Sequence, residues 1–232
     1  MLLGITTGCG GGGAGSEPLD VYAAASLAEV FPQIDPEARF SFAGSDELAT
    51  QIREGAPAAI YAAANSKHPQ ELFEEGLVEE PVAFASNRLV LIVPRGNPAA
   101  IESVEDVLQP GTRLVVAGDG VPVGDYTRTA LETLGLSAAL DNVVSNEDDV
   151  KGVAGKVVLG EADAGFVYAT DVTPVADRVL AIELPDGSQP PIEYQVAVVA
   201  ASEDKDAARA FVEELRGDEG RSALEAAGFV GP

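Results

Sequence analysis

The chain of 232 residues has almost none of the side chains on which metal and nucleophilic chemistry depend. It contains one cysteine, Cys9, and one histidine, His68. A single cysteine excludes a disulfide within the chain, and a soft-metal site with two or more cysteine or histidine ligands cannot be built. His68 lies in the polar segment NSKHPQ, which we interpret as a solvated loop. Most histidine-dependent catalysis would therefore rest on this one side chain.

Basic residues are also scarce. Lysine and arginine number 14 against 38 aspartates and glutamates, which gives a formal net charge of -24. Such an acidic surface repels nucleic-acid phosphates and anionic lipid headgroups, so neither is expected as a partner. The composition is otherwise that of a globular protein, with 46% hydrophobic and 22% charged residues. The length suffices for one large domain or two lobes, each with its own core.

Long apolar runs are missing, and nothing beyond the N-terminus approaches the length of a membrane span. The N-terminal sequence MLLGITTGCGGGGAGSEP has a short apolar stretch, then Cys9, then glycines. We interpret residues 1–17 as the remnant of an export signal, whose true start lies upstream, together with a flexible glycine-rich tether at residues 10–17. Cys9 is then predicted to carry a lipid that anchors an extracytoplasmic protein. A cytosolic tail with a chance cysteine is the alternative.

Strand-like and helix-like segments alternate along the rest of the chain. The strand-like segments are 19–25, 38–44, 58–64, 88–94, 112–118, 164–170 and 194–200. The helix-like segments are 26–34, 45–55, 69–76, 104–111, 124–135, 147–161, 204–217 and 219–228. This alternation predicts an α/β fold with parallel sheets flanked by helices.

Two buried strands, 88–94 and 194–200, bracket a middle block that has strands and helices of its own. We therefore predict one lobe inserted into another. Lobe I comprises 18–86 plus 195–232, lobe II comprises 87–194, and the last helices pack back on lobe I. Ligands of such sheets bind at the carboxyl ends of the strands, where helices begin.

Small residues and hydroxyls mark two of these strand-to-helix junctions. Ser26 follows three alanines in YAAASLAEV, and Ser45 follows Gly44 in FAGSDELA. Ser26 with Glu29 also fits a capping box, which would give it a purely structural role. Two such junctions in one lobe would place both helix N-termini on one rim, and helix N-termini bind anions. Neither junction contains lysine or arginine, so neutral donors would have to bind the anion.

The second half of the chain has matching features. The loop GDGVPVGDY leads into a helix, but its glycines do not have the G-x-G-x-x-G spacing, so we reject a nucleotide site. A further helix begins near Val150 in SNEDDVKG. Tyr168 ends the strand AGFVYAT, and its hydroxyl could form hydrogen bonds across a cleft. The alternative is a core aromatic residue with a solvated hydroxyl.

From residue 19 to 230 the sequence resembles the molybdate-binding proteins of ABC import systems. The segments that carry the resemblance are AAASL, FAGS with LATQIREGAPA, VPVGDY, EDDVKG, GFVYATD, EYQVAVV and AAGF, in this order. The resemblance implies the type II periplasmic-binding-protein fold. In this fold two α/β lobes, each a mostly parallel sheet flanked by helices, close around a hinge of two crossing segments. These segments would lie near 84–88 and 192–196.

The resemblance also implies a ligand set. The oxyanion would be held by the hydroxyls of Ser26, Ser45 and Tyr168 and by the main chain of Val123 and Val150. The ligand would be molybdate or tungstate, with no cofactor and no reaction. A monomer would deliver it to a membrane permease driven by an ATPase.

Three alternatives remain open from the sequence. The first is a receptor for another tetrahedral oxyanion, sulfate in particular; phosphate is disfavoured because its proton needs an acceptor that this set lacks. The second is an oxyanion sensor domain that does not take part in transport. The third is an enzyme, since some transferases share the bilobal fold, although the expected cleft contains no nucleophile or acid–base group that we can identify.

Overall fold

The computed structural model describes residues 17–232, so the prediction for Cys9 lies outside the described residues. This part of the chain forms two five-stranded sheets, in the order β2-β1-β3-β10-β4 and β7-β6-β8-β5-β9. The strands are β1 Asp20–Ala24, β2 Arg39–Ala43, β3 Ile60–Ala63, β4 Val82–Asn87, β5 Leu89–Pro94, β6 Leu114–Ala117, β7 Val143–Glu147, β8 Ala164–Tyr168, β9 Val179–Glu183 and β10 Ile192–Val198.

Helices cover both sheets. They are α1 Phe31–Ile34, α2 Ser45–Arg53, α3 Lys67–Glu74, α4 Pro122–Thr133, α5 Val150–Val158, α6 Lys205–Arg216 and α7 Asp218–Ala226. Short 3-10 turns occupy Ala25–Leu27, Val104–Leu108, Ser137–Asn142, Ala169–Asp171 and Thr173–Val175. No helix in the described part of the chain is both long enough and apolar enough to cross a membrane.

Both sheets are mixed, and four of the five strands in each point in the same direction, in agreement with the mostly parallel sheets that the sequence predicted. In the first sheet β1 pairs in parallel with β2 and β3, and β10 pairs antiparallel with β3 and β4. The second sheet repeats this pattern, with β6 parallel to β7 and β8, and β5 antiparallel to β8 and β9. Parallel neighbours need a long crossover connection. β4 and β5 have no such connection. Only Arg88 separates them along the chain, and the chain passes there from one sheet to the other.

The two connections between the lobes lie side by side. One passes from β4 to β5 through Arg88, and the other runs from the end of β9 to the start of β10. Within the first sheet β4 and β10 are neighbours, and Ile192 pairs with Asn87. Residues at the end of one connecting strand are therefore close to residues at the start of the other.

The central strands are buried because both faces of each sheet are covered. β5 (LVLIVP) and β6 (LVVA) are buried along almost their whole length, as continuous branched apolar runs predict. In the first lobe the ring of Phe31 packs 5.8 Å from that of Phe211 on α6 and 6.0 Å from that of Phe84. The contact with Phe211 packs α6 against the first sheet.

Candidate functional site

A small cavity lies between the lobes, at the carboxyl ends of the strands. Its volume is about 20 Å³, and the residues that line it include Ser26, Ser45, Val123, Val150 and Tyr168. The structure thus brings together all five residues singled out in the sequence, from five separate segments. A single water needs roughly 10–15 Å³ by the same measure. The cavity therefore suits a compact group of a few heavy atoms and is too small for a sugar or a nucleotide.

Ser26 does not form the capping box that the sequence allowed. It lies in the 3-10 turn Ala25–Leu27, which has no side-chain cap, and it is 5% exposed. Its Oγ lies 2.9 Å from the hydroxyl oxygen of Tyr194. The alanines before Ser26 have no bulk that could cover the turn, so its hydroxyl reaches the cavity.

Ser45 is the first residue of α2, and the protein fixes the direction of its hydroxyl. Its Oγ accepts a hydrogen bond from the backbone N–H of Ala64 at 3.1 Å, and its carbonyl accepts one from the hydroxyl of Tyr61 at 2.7 Å. An N–H group can only donate, so the Ser45 proton is not used in the bond with Ala64. That proton is available to an acceptor in the cavity.

Val123 and Val150 contribute through their position at helix starts. Val123 is the second residue of α4, after Pro122, and Val150 is the first residue of α5. N–H groups at these positions have no partner within their own helix, and the positive end of the helix dipole lies there. Asp149, which also lines the cavity, caps α5 by accepting the N–H of Gly152 at 2.8 Å.

Tyr168 supplies the third hydroxyl. The residue is 1% exposed, and its hydroxyl oxygen has no hydrogen-bond partner among residues 17–232. Burial raises the pKa of Tyr168 well above its usual range, so the hydroxyl stays protonated. A buried polar group without a partner is uncommon in folded proteins. The solvated hydroxyl considered from the sequence is wrong, because the hydroxyl is buried.

His68 was interpreted as a solvated loop residue, and this is wrong. It is 5% exposed and is the second residue of α3, because Pro69 falls in the first helical turn, where proline needs no N–H partner. Its Nε2 lies 2.9 Å from the carbonyl oxygen of Gly120 in the other lobe. Since a carbonyl can only accept, Nε2 carries the proton. His68 thus joins the two lobes beside the cavity.

An ion pair also crosses the cleft. Lys151 Nζ lies 3.6 Å from Glu29 in the first lobe and 3.4 Å from Asp171 in the second. Burial raises the pKa of Asp171 to about 6, and the nearby Lys151 opposes this rise. Lys151 is not among the residues that line the cavity, and its charge faces these two carboxylates instead.

Sequence reasoning missed the residues that support the site from behind. Tyr194 contacts Ser26, and Asn87 contacts Tyr194 because β4 and β10 pair in the folded chain. His68 reaches Gly120 across 52 positions of sequence. Tyr194 falls within the segment EYQVAVV that carried the resemblance, and that was the available signal for it.

The five candidate residues around the cavity all offer hydrogen-bond donors, and Asp149, the one carboxylate among the lining residues, caps α5. Three hydroxyls and the N–H groups of three helix starts (α2, α4 and α5) converge on a space for one compact ligand. In the described residues there is no cluster of three histidine, cysteine, aspartate or glutamate side chains that could hold a metal ion. The arrangement matches a small anion that offers only acceptors.

Comparisons with known proteins give the family. Residues 19–230 match the model of the bacterial extracellular solute-binding proteins. The molybdate-binding protein ModA of Mycobacterium tuberculosis is 34% identical, over 100% of this chain and 95% of that protein. ModA of Haemophilus influenzae is 32% identical, over 97% and 94%. The periplasmic molybdate-binding protein of Azotobacter vinelandii has the same fold, with a TM-score of 0.80 at 22% identity over 92% of this chain and 99% of that one. The chain belongs to the bacterial extracellular solute-binding protein family.

Proposed function

We propose that the chain captures molybdate, and tungstate by the same contacts, in the cavity between its lobes. The hydroxyls of Ser26, Ser45 and Tyr168 and the N–H groups of Val123 and Val150 would donate to the oxyanion. One observation carries the proposal. Tyr168 lines the cavity of about 20 Å³, and its buried hydroxyl has no hydrogen-bond partner among the described residues. The relatives named for molybdate binding support the choice of ligand.

Selection against sulfate would come from size. Molybdate and sulfate are both tetrahedral dianions near neutral pH, so charge does not distinguish them. Donors from two lobes set the radius of the cavity, and the smaller sulfate would leave some of them unpaired. Each lost hydrogen bond to a charged group costs roughly 1.5–3 kcal/mol, or about tenfold to a hundredfold in affinity.

Phosphate would be rejected for a different reason. Near neutral pH it keeps at least one proton, which needs an acceptor. The Ser45 hydroxyl already accepts from Ala64 and so faces the cavity with its proton. We rank a sulfate receptor and a sensor domain without a transport role below molybdate capture, and titration separates the first of these from our proposal.

The cellular role follows from the same proposal. Lobe I (18–86 plus 195–232) and lobe II (87–194) would close on the ligand by a hinge near 84–88 and 192–196. The closed monomer would deliver the oxyanion to an ABC permease with its ATPase. Cys9 would hold the protein at the outer face of the membrane through a lipid. Membership in an extracellular solute-binding family agrees with a site of action outside the cytoplasm.

Calorimetric titration with molybdate, tungstate, sulfate and phosphate tests this proposal. We expect molybdate and tungstate to bind with similar affinity and sulfate far more weakly. Tyr168→Phe and Ser45→Ala should each weaken molybdate binding by about tenfold to a hundredfold without unfolding the protein. Ser202→Ala, far from the cavity, is the matched control. Equal affinity for sulfate and molybdate, or full affinity in both site variants, would show that the wrong residues have been placed around the anion.

A further inference from the structure

The hydroxyl of Ser26 is held by a chain of side chains that begins in the two strands connecting the lobes. Asn87 is the last residue of β4, and Tyr194 lies in β10. Asn87 Nδ2 lies 2.9 Å from Thr170 Oγ1 and 3.4 Å from the Tyr194 hydroxyl oxygen. That oxygen in turn lies 2.9 Å from Ser26 Oγ. Tyr194 is 0% exposed, so solvent does not compete for these contacts.

The direction of each proton in this chain follows from which groups can donate. Asn87 Oδ1 accepts the backbone N–H of Arg88 at 2.9 Å, so its NH₂ group faces Thr170 and Tyr194. An amide nitrogen only donates, so the Tyr194 oxygen accepts from it. Among the described residues Ser26 Oγ is the acceptor within hydrogen-bond distance of the buried Tyr194 hydroxyl, so we assign the Tyr194 proton to the bond with Ser26. Ser26 accepts within the protein, and its own proton is directed into the cavity.

We propose that Asn87 and Tyr194 are positioning residues that fix Ser26 as a donor, and thereby make the site select fully deprotonated oxyanions over those that carry a proton. This inference rests on the proposed function, because it assigns a basis for ligand choice to the same cavity. Ser45 reaches the same state through the N–H of Ala64. Burial raises the pKa of Tyr194 well above its usual range, so its proton is retained.

Reversing the direction of the hydrogen bonds between Asn87, Tyr194 and Ser26 should reverse the preference for deprotonated oxyanions. In Asn87→Asp a carboxylate replaces the amide, and a carboxylate only accepts. Tyr194 would then donate to residue 87, Ser26 would donate to Tyr194, and the Ser26 oxygen would present a lone pair to the ligand. Molybdate and sulfate have no proton to offer that lone pair, whereas hydrogen phosphate has one.

The experiment compares ratios of affinity at mildly alkaline pH, where molybdate, sulfate and hydrogen phosphate are all dianions. The added charge of Asn87→Asp weakens each of them alike and cancels in the ratio. We expect the molybdate-to-phosphate ratio to fall by about tenfold or more, as for the loss of one hydrogen bond to a charged group. The sulfate-to-phosphate ratio should fall in parallel, since sulfate is also fully deprotonated.

Two tyrosine variants separate positioning from structural support. Tyr194→Phe removes the donor to Ser26 and keeps the ring, so the ratio should fall severalfold even if Asn87→Asp does not fold. Tyr61→Phe is the matched control. Tyr61 is equally buried, but its hydroxyl donates to the backbone carbonyl of Ser45 and not to the Ser45 side chain. The molybdate-to-phosphate affinity ratio of Tyr61→Phe should equal that of the wild-type protein.

Equal weakening of all three oxyanions in Asn87→Asp and Tyr194→Phe would overturn the inference, because a purely structural network lowers every affinity by the same factor. Failure of the proposed function has a different signature. A wild-type protein that binds sulfate and no molybdate would contradict molybdate capture, and the sulfate-to-phosphate ratio would still decide the role of Asn87 and Tyr194.

Discussion

Replacement of Gly44 by alanine should block closure of the cleft without disturbing either lobe. Gly44 precedes α2 with φ −58°, a conformation that alanine adopts freely. A Cβ built there would lie 2.5 Å from the carbonyl oxygen of Asp148 in the other lobe. It would also lie 2.7 Å from Asp46 Oδ1, but that side chain can turn away. Asp148 lies between the end of β7 and Asp149, the cap of α5, so its backbone has little room to move by itself.

The expected loss of affinity follows from these distances. Ordinary contact between heavy atoms is about 3.5–4.0 Å, so the lobes must separate by roughly 1 Å near Gly44. A hydrogen bond lengthened by that amount no longer meets the geometric limits of a bond. Each lost bond to the charged ligand costs roughly 1.5–3 kcal/mol. Gly44→Ala should therefore bind molybdate about tenfold to a hundredfold more weakly for each donor that is withdrawn.

Calorimetry measures this effect, and thermal unfolding without ligand shows whether the fold is intact. Gly155→Ala is the control, because Gly155 lies inside α5 and an added Cβ there has no atom within 4 Å. That variant should bind normally and gain roughly 0.5–1 kcal/mol of stability. If Gly44→Ala binds molybdate as tightly as the wild-type protein, the lobes do not approach this closely in the bound state and the reasoning fails.

Three further predictions follow from the cleft and the N-terminus. His68→Phe removes the hydrogen bond to Gly120 and should lower molybdate affinity about fivefold in calorimetry. Unchanged affinity would contradict this prediction. The pKa of Asp171 rises from 3.8 to about 6 on folding, so its stabilising effect is complete below 3.8 and lost as the pH rises through 6. Urea unfolding should therefore find Asp171→Asn more stable than wild type by roughly 3 kcal/mol near neutral pH, and no different near pH 4. Mass spectrometry of the native protein should show a diacylated Cys9 as its first residue; an unmodified chain that retains Met1 would contradict it.

The parts of the fold that the sequence predicted are those with a strong local pattern. β5 and β6 were predictable because both faces are buried and every position is apolar. β4, β7 and β9 were missed, and all three lie at sheet edges. β7 (VVSNE) alternates between exposed and half-buried positions, so it has no continuous apolar run. Edge strands are partly solvated, and their sequences therefore resemble loops.

Helix boundaries failed for a related reason. The segment 26–34 was predicted as one helix interrupted near Pro32, but it forms a 3-10 turn at Ala25–Leu27 and a separate short helix, Phe31–Ile34. Pro32 lies in the first turn of that helix, where it begins the helix instead of interrupting it. The break places Ser26 in a tight turn, where its Oγ contacts the hydroxyl of Tyr194, 168 positions away.

Ser26, Ser45, Val150 and Tyr168 could be proposed from the sequence because each lies where a strand ends or a helix begins, whereas Val123 was proposed from the family resemblance alone. What the sequence could not provide is the direction of the protons. Ser45 faces the cavity as a donor because the N–H of Ala64 occupies its acceptor side, and the corresponding arrangement for Ser26 depends on Asn87. Both contacts are tertiary, and no local pattern encodes them.

The direction of the protons explains how a chain with a net charge of -24 can offer a site to a dianion. Salt screens distant surface charges beyond roughly 10 Å, so donors inside the cleft dominate the local potential. Lys151, the nearby cation, is shared between Glu29 and Asp171 and cannot be the main source of attraction. The starts of α2, α4 and α5 and the three hydroxyls remain. A site of neutral donors attracts any small dianion, so the choice among dianions depends on the radius that the closed lobes impose and on the donor that Asn87 and Tyr194 hold in place.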